Sequence, residues 1–195
     1  MNHNSIVTRH ELGHFVALCA SGLYDEFTSI TNQAANGAFG LTERNGQSLT
    51  DYSHKLVADL TNYLSVMRNV GRDVVLKNLC YFFGGGSIDR LYGCDSAIRN
   101  SIDDTNNKTL CLPAIGISGV SDERYAELQA MVDEFLHPIF RAETPFIARL
   151  CDELARRGTI NKADMDAIVQ EAGWAPSQHP SFDALLARFH AWCDQ

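Results

Sequence analysis

A mainly helical domain with one small antiparallel sheet, an α+β arrangement, is what this chain predicts. Three observations carry that expectation. Apolar residues recur at helical spacing over most of the length, with Ser, Asp or Asn ahead of the stripes and Gly behind them. Strand-like runs are confined to one stretch between residues 27 and 42. No internal repeat or low-complexity segment interrupts the pattern.

The elements follow in order. Ile6, Val7, Leu12, Phe15, Val16 and Leu18 give a first helix over about residues 4–21, with Gly22 as its stop. Phe27 to Thr31 is β-prone, Asn36-Gly37 makes a turn, and Ala38 to Thr42 returns as a second strand. Ser53 caps a stripe of Leu56, Leu60, Tyr63, Leu64, Met67 and Val70. Val74 to Phe83 continues as an apolar helix into Gly84-Gly85-Gly86, and residues 93–120 are irregular.

Ser121 opens a helix with Asp122 and Glu123 in its first turn and a stripe from Tyr125 to Leu136, interrupted at Pro138. Pro145 suits the first turn of the next helix, whose stripe of Phe146, Ile147, Leu150 and Leu154 ends at Gly158. Asn161 caps a short helix closed by Gly173. After a Pro/Ser/His linker, Ser181 caps a final helix bearing Phe182, Leu185, Leu186, Phe189 and Trp192. The organisation expected is one domain over residues 1–173, with residues 174–195 as a helical extension packed on it.

At 195 residues the chain is long enough to bury a substantial core. A net charge of −8 argues against nonspecific nucleic-acid binding. No stretch reaches about 18 apolar residues, the length a membrane span requires, and no signal-peptide pattern opens the chain. The six cysteines include no CxxC pair, so they read as reduced, core-packed thiols of a cytoplasmic protein.

The first helix carries the chemistry. His10-Glu11-Leu12-Gly13-His14 is an HExxH pattern, and positions i and i+4 share one helix face. Two imidazoles so placed converge on one metal ion, with the carboxylate beside them to act on a water. Its competitor is two histidines and a glutamate on a solvated face, which the apolar flanks disfavour. Catalytic zinc takes three protein ligands and leaves a fourth position open. By residue type the third could come from His54, His137, His179, His190, Asp89, Asp95, Asp103 or Asp104. The glycine run lacks the lysine and preceding strand of a phosphate loop, and reads as a close-packing or kinked helical segment.

Several segments resemble the protease domain of FtsH-type zinc peptidases, in collinear order over about residues 5–172. HELGH resembles that family's HEAGHA, and Thr28-Ser29-Ile30 and Phe39-Gly40-Leu41-Thr42 resemble its "VTI" and "LG" strands. Gly84 to Gly93 is similar to its "GGR-AEE-IYG" segment, Ser101 to Asp104 to its "ASND", and Leu150 to Val169 to its closing helices. The resemblance implies a zincin-like HExxH helix in a helical bundle. It implies His10, His14 and Asp104 as ligands of Zn2+, with Asp103 one register away, and Glu11 as the catalytic carboxylate. The family's arginine is replaced by Gly86 or Ser87, and its paired glutamates by Ile88-Asp89, which puts any outer-shell role in doubt. No Walker motif occurs, and these residues hold no counterpart of the family's ATPase module or membrane anchor.

The function expected is a stand-alone zinc metalloendopeptidase acting on flexible or unfolded protein segments, an extended substrate pairing along Phe39, Gly40 and Leu41. Its partners would be protein or peptide substrates and a separate unfoldase or adaptor, with neither nucleic acid nor membrane. A homo-oligomer is compatible with it. Two alternatives stand beside it: a regulatory protease of the ImmA/IrrE type that cleaves a specific repressor, and a catalytically silent zinc or interaction domain.

Overall fold

Helix α1 (His3–Ala20) forms the centre of the molecule, and its residues from His10 to Ala20 are buried on every face. A helix that is covered all round needs partners on all sides, and the rest of the chain supplies them. The computed structural model describes residues 3–33, 40–44, 71–93 and 111–195. The expected turn at Asn36-Gly37 and the helix capped by Ser53 lie outside these residues. Among those described there are six α-helices and one three-stranded antiparallel sheet, which is the α+β arrangement the sequence predicts.

After α1 comes a single 3₁₀ turn (Tyr24–Glu26), strand β1 (Phe27–Thr31) and strand β2 (Leu41–Arg44). Helix α2 (Arg72–Tyr92) follows, then a second 3₁₀ turn (Leu112–Ile115), α3 (Glu123–Ala142) and α4 (Thr144–Arg157). Strand β3 (Thr159–Asn161), α5 (Lys162–Ala172) and α6 (Phe182–Cys193) complete it. The sheet order is β2-β1-β3, with Ile30 opposite both Thr42 and Ile160. Ile30, Thr42 and Ile160 are all buried, so this row faces the core. Helix α1 packs most extensively on α2 and also touches α3, α4, β1 and β2.

The structure revises several sequence expectations. Strand β3 is absent from them: three residues between two helices give no periodicity, and only pairing with β1 makes them a strand. Helix α3 is capped by Asp122, not opened by Ser121; the Asp122 carboxylate accepts from the Arg124 N–H at 3.0 Å. Pro138 does not interrupt α3. An internal proline costs a helix about 3 kcal/mol, and burial of Phe135, Leu136, Ile139 and Phe140 on either side of it outweighs that. Likewise α2 runs straight through Gly84-Gly85-Gly86 to Tyr92.

Other ends fall where local chemistry puts them. Gly22 (φ 75°) and Gly173 (φ 62°) take the left-handed conformation that ends α1 and α5. The Asn161 side chain accepts from the Asp164 N–H at 2.9 Å, and Pro145 sits in the first turn of α4. The linker before α6 closes the end of α1, where the His179 N–H donates to the Ala20 carbonyl at 2.9 Å. The stripe of α6 is packed rather than presented: Phe182, Leu185, Phe189 and Trp192 are buried against α2 and α3. Arg124 lies 4.2 Å over the Trp192 ring and Trp192 Nε1 donates to Glu127 at 2.8 Å.

Candidate metal centre

The site is built where α1 crosses α2, and glycines set how close the two helices come. A Cβ on Gly84 would lie 2.4 Å from the Gly13 carbonyl oxygen, and one on Gly13 would lie 2.6 Å from the Gly84 carbonyl oxygen. Backbone therefore rests on backbone at this point. Glycine inside a helix costs about 1 kcal/mol relative to alanine, so a glycine on each helix marks the crossing as a requirement of packing.

At that crossing the i, i+4 spacing brings His10 and His14 together, with Nε2 atoms 3.2 Å apart and ring centroids 4.9 Å apart. Both residues are almost fully buried. Their other ring nitrogens are fixed by α2. His10 Nδ1 donates to Asp89 Oδ2 at 2.7 Å, and His14 Nδ1 donates to the Tyr81 carbonyl at 2.8 Å. The Gly85 N–H also approaches His14 Nδ1, at 3.4 Å, but a nitrogen that donates to Tyr81 cannot accept from Gly85. The shorter contact decides the tautomer.

With both Nδ1 atoms donating, both Nε2 lone pairs point into the same space. Two lone pairs at 3.2 Å repel unless a cation, proton or metal, lies between them. Two nitrogens each about 2.0–2.1 Å from a tetrahedral zinc stand about 3.3–3.4 Å apart, close to the separation here. The spacing of these two imidazoles fits the ion. Asp89 is fully buried, and its Oδ1 has no hydrogen-bond partner. A carboxylate so enclosed is costly unless positive charge is near, which a proton or metal ion held by His10 would supply.

Glu11 lies on the sheet side of the same helix. The Thr42 hydroxyl, from β2, donates its one proton to Glu11 Oε2 at 2.8 Å and also lies 3.1 Å from the Glu11 backbone carbonyl. The charged, shorter partner takes the proton. Strand β2 is in turn tied to α2, because the Tyr81 hydroxyl donates to the Thr42 carbonyl at 2.9 Å and Arg44 donates to Asn78 at 2.6 Å. Gly40 passes so close that a Cβ there would lie 2.8 Å from Glu11 Cγ and 3.2 Å from Oε1.

Of the residues the sequence nominates, His10, Glu11, His14 and Gly40 come together; Leu41 opens β2 beside them. Phe39, Asp103 and Asp104 lie outside the described residues, as do His54 and Asp95. Asp89, nominated as a ligand by type, instead anchors the far nitrogen of His10. His137 lies against the Ser87 carbonyl, His179 bonds Ser181, and His190 sits on α6, so none of the three joins the centre. Among the described residues no three His, Cys, Asp or Glu side chains converge on one point. Burial pushes the Cys80 thiol up to about 12 and the Cys19 thiol well above its ordinary value, so both stay protonated and pack as apolar groups.

Sequence reasoning missed the bonds of Thr42 to Glu11 and of the Tyr81 carbonyl to His14, and put in doubt the supporting role that Asp89 takes behind His10. The available signal was the spacing of Tyr81, Gly85 and Asp89 at i, i+4 and i+8, which puts them on one face of α2. No protein-family model matches the chain, and no curated protein or solved structure matches it. No described helix is long and apolar enough to cross a membrane.

Proposed function

We propose that the protein is a zinc metalloendopeptidase with an FtsH-like peptidase core, cleaving flexible or unfolded protein segments. The observation that carries this reading is the imidazole pair, with Nε2 atoms 3.2 Å apart, both Nδ1 atoms anchored and Glu11 alongside. His10 and His14 would hold the ion, with Asp104, or Asp103 one register away, as the third ligand. Bound zinc would supply Lewis acidity to the attacking water and to the scissile carbonyl.

The chain's own residues do the rest. Glu11 takes the proton of the attacking water and returns it to the leaving amine, the usual work of a general base and acid. Thr42 holds Oε2 of that carboxylate, which fixes its orientation beside Gly40. Asp89 and the Tyr81 carbonyl keep both imidazoles in the tautomer that presents Nε2. Among the described residues β2 has a strand neighbour on one side only. An extended substrate adding to its other edge, along Phe39, Gly40 and Leu41, would run beside Glu11. Folded backbone cannot adopt that geometry, so substrates would be unstructured segments or chains opened by a separate unfoldase or adaptor. Cys19 and Cys80, buried thiols outside any disulfide, support a cytoplasmic setting.

Glu11→Gln tests the reading. It should lower cleavage of an unstructured casein-like substrate by about 10²–10⁴-fold while zinc content stays at the wild-type level. Cleavage undiminished in Glu11→Gln would overturn it. Asp104→Ala and Asp103→Ala should differ in zinc retention, and equal retention in both would rule out this segment as the source of the third ligand.

A further inference from the structure

The second glycine of the α2 run has a different environment from the first. A Cβ built on Gly84 meets backbone of α1, whereas one built on Gly85 meets the two metal-facing nitrogens: 2.5 Å from His14 Nε2, 2.6 Å from His10 Nε2 and 2.7 Å from His10 Cε1. Those distances are far inside van der Waals contact, and the imidazoles cannot swing away. His10 is held through Nδ1 by buried Asp89, and His14 through Nδ1 by the Tyr81 carbonyl. Both anchors sit on α2 itself, one turn on either side of Gly85. A side chain at 85 must therefore fill the space between the nitrogens or break an anchor.

We propose that Gly85 is the clearance residue of the metal centre: its missing side chain keeps the space facing both Nε2 atoms open to a cation. The inference rests on the metal reading above and deepens it. It also accounts for the position's cost. Alanine here would favour the helix locally, so helix propensity gives no reason for glycine; the two imidazoles facing position 85 do. Gly85 acts through the two imidazoles and is a positioning residue, not a catalytic one.

The test compares zinc content and thermal stability in the full chain, using Zn2+ alone as the probe. Wild type and Gly119→Ala, at a glycine with nothing near its Cβ position, should each retain about one zinc per chain. Gly85→Ala should retain at least about tenfold less, with helical circular dichroism preserved. Zinc held equally by wild type and Gly85→Ala overturns this proposal alone; a wild type that holds no zinc overturns the metal reading and the proposal together. A mutant cycle covers the case in which Gly85→Ala does not fold. Placed in a His10→Ala/His14→Ala background, where the rings are gone, Gly85→Ala should raise the melting temperature, while lowering it in the wild type. The same change in both backgrounds would show that the clash is not with the imidazoles, and would overturn the proposal.

Discussion

The C-terminal half and the crossing of α1 with α2 are built on opposite terms. From Asp122 onward, α3, α4 and α5 start on local signals at Asp122, Pro145 and Asn161, α4 and α5 stop at glycines, every helix carries an apolar stripe, and the buried side chains are nearly all hydrocarbon. At the crossing, three consecutive glycines run through a helix interior, and His10, Glu11, His14 and Asp89 are all buried. The crossing departs both from helix propensity and from apolar burial, whereas the C-terminal half departs mainly at Pro138. The lesson is that departures from local propensity concentrate at the candidate site, and the ordinary region provides the stability that tolerates them.

Substitutions should separate the two regions by the kind of loss as well as its size. In the ordinary half, Phe140→Ala should destabilise by about 3–5 kcal/mol, because the ring is fully buried in the core, and zinc content per folded chain should not change. Urea denaturation with zinc analysis reads both. At the crossing, Gly84→Ala should cost about 1–3 kcal/mol by overpacking, since its methyl would meet the Gly13 carbonyl and Ala17. A gain in stability there would contradict the close approach of the two helices. Asp89→Ala should instead weaken zinc binding about 10–100-fold, the usual effect of removing a carboxylate behind a ligand histidine.

Smaller effects sharpen the account of the ordinary half. Asn161→Ala should lower stability by about 1 kcal/mol through loss of the α5 cap, with no effect on zinc. The Asp122 carboxyl is held below its usual range by the Ser118 and Arg124 backbone N–H groups. Its folded value lies below its unfolded one, so its contribution is complete above the ordinary carboxylate range of about 4 and is lost as acid protonates it. Asp122→Asn should therefore flatten the acid limb of the stability curve. A second network has both limbs: Lys162 and Tyr24 hold the Asp166 carboxyl low, while burial and Asp166 push the Tyr24 hydroxyl up. The Tyr24 share is complete below about pH 10 and lost as pH rises through its folded value.

How much was legible follows the same division. The Asn161 cap, the Gly22, Gly158 and Gly173 stops, and Pro145 in a first turn are local signals, and each is readable in a window of a few residues. Pro138 misled because only tertiary burial carries α3 through it. β3 was invisible because three residues become a strand only by pairing with β1. At the centre, His10, Glu11 and His14 were readable because their relation is a fixed spacing on one helix. Asp89 and Thr42 were not, because they meet α1 from residues 79 and 31 positions away. The glycine run showed its presence but not its division of labour. Only the crossing reveals that Gly84 accommodates backbone and Gly85 faces the nitrogens.

The most direct test of the central claim is a crystal structure of the zinc-loaded chain with data collected across the zinc absorption edge. The account predicts one anomalous peak bound by His10 Nε2 and His14 Nε2, with Asp89 still on His10 Nδ1 and a carboxylate from the Asp103-Asp104 segment as third ligand. No peak between the two imidazoles, or a peak bound through either Nδ1, would contradict it.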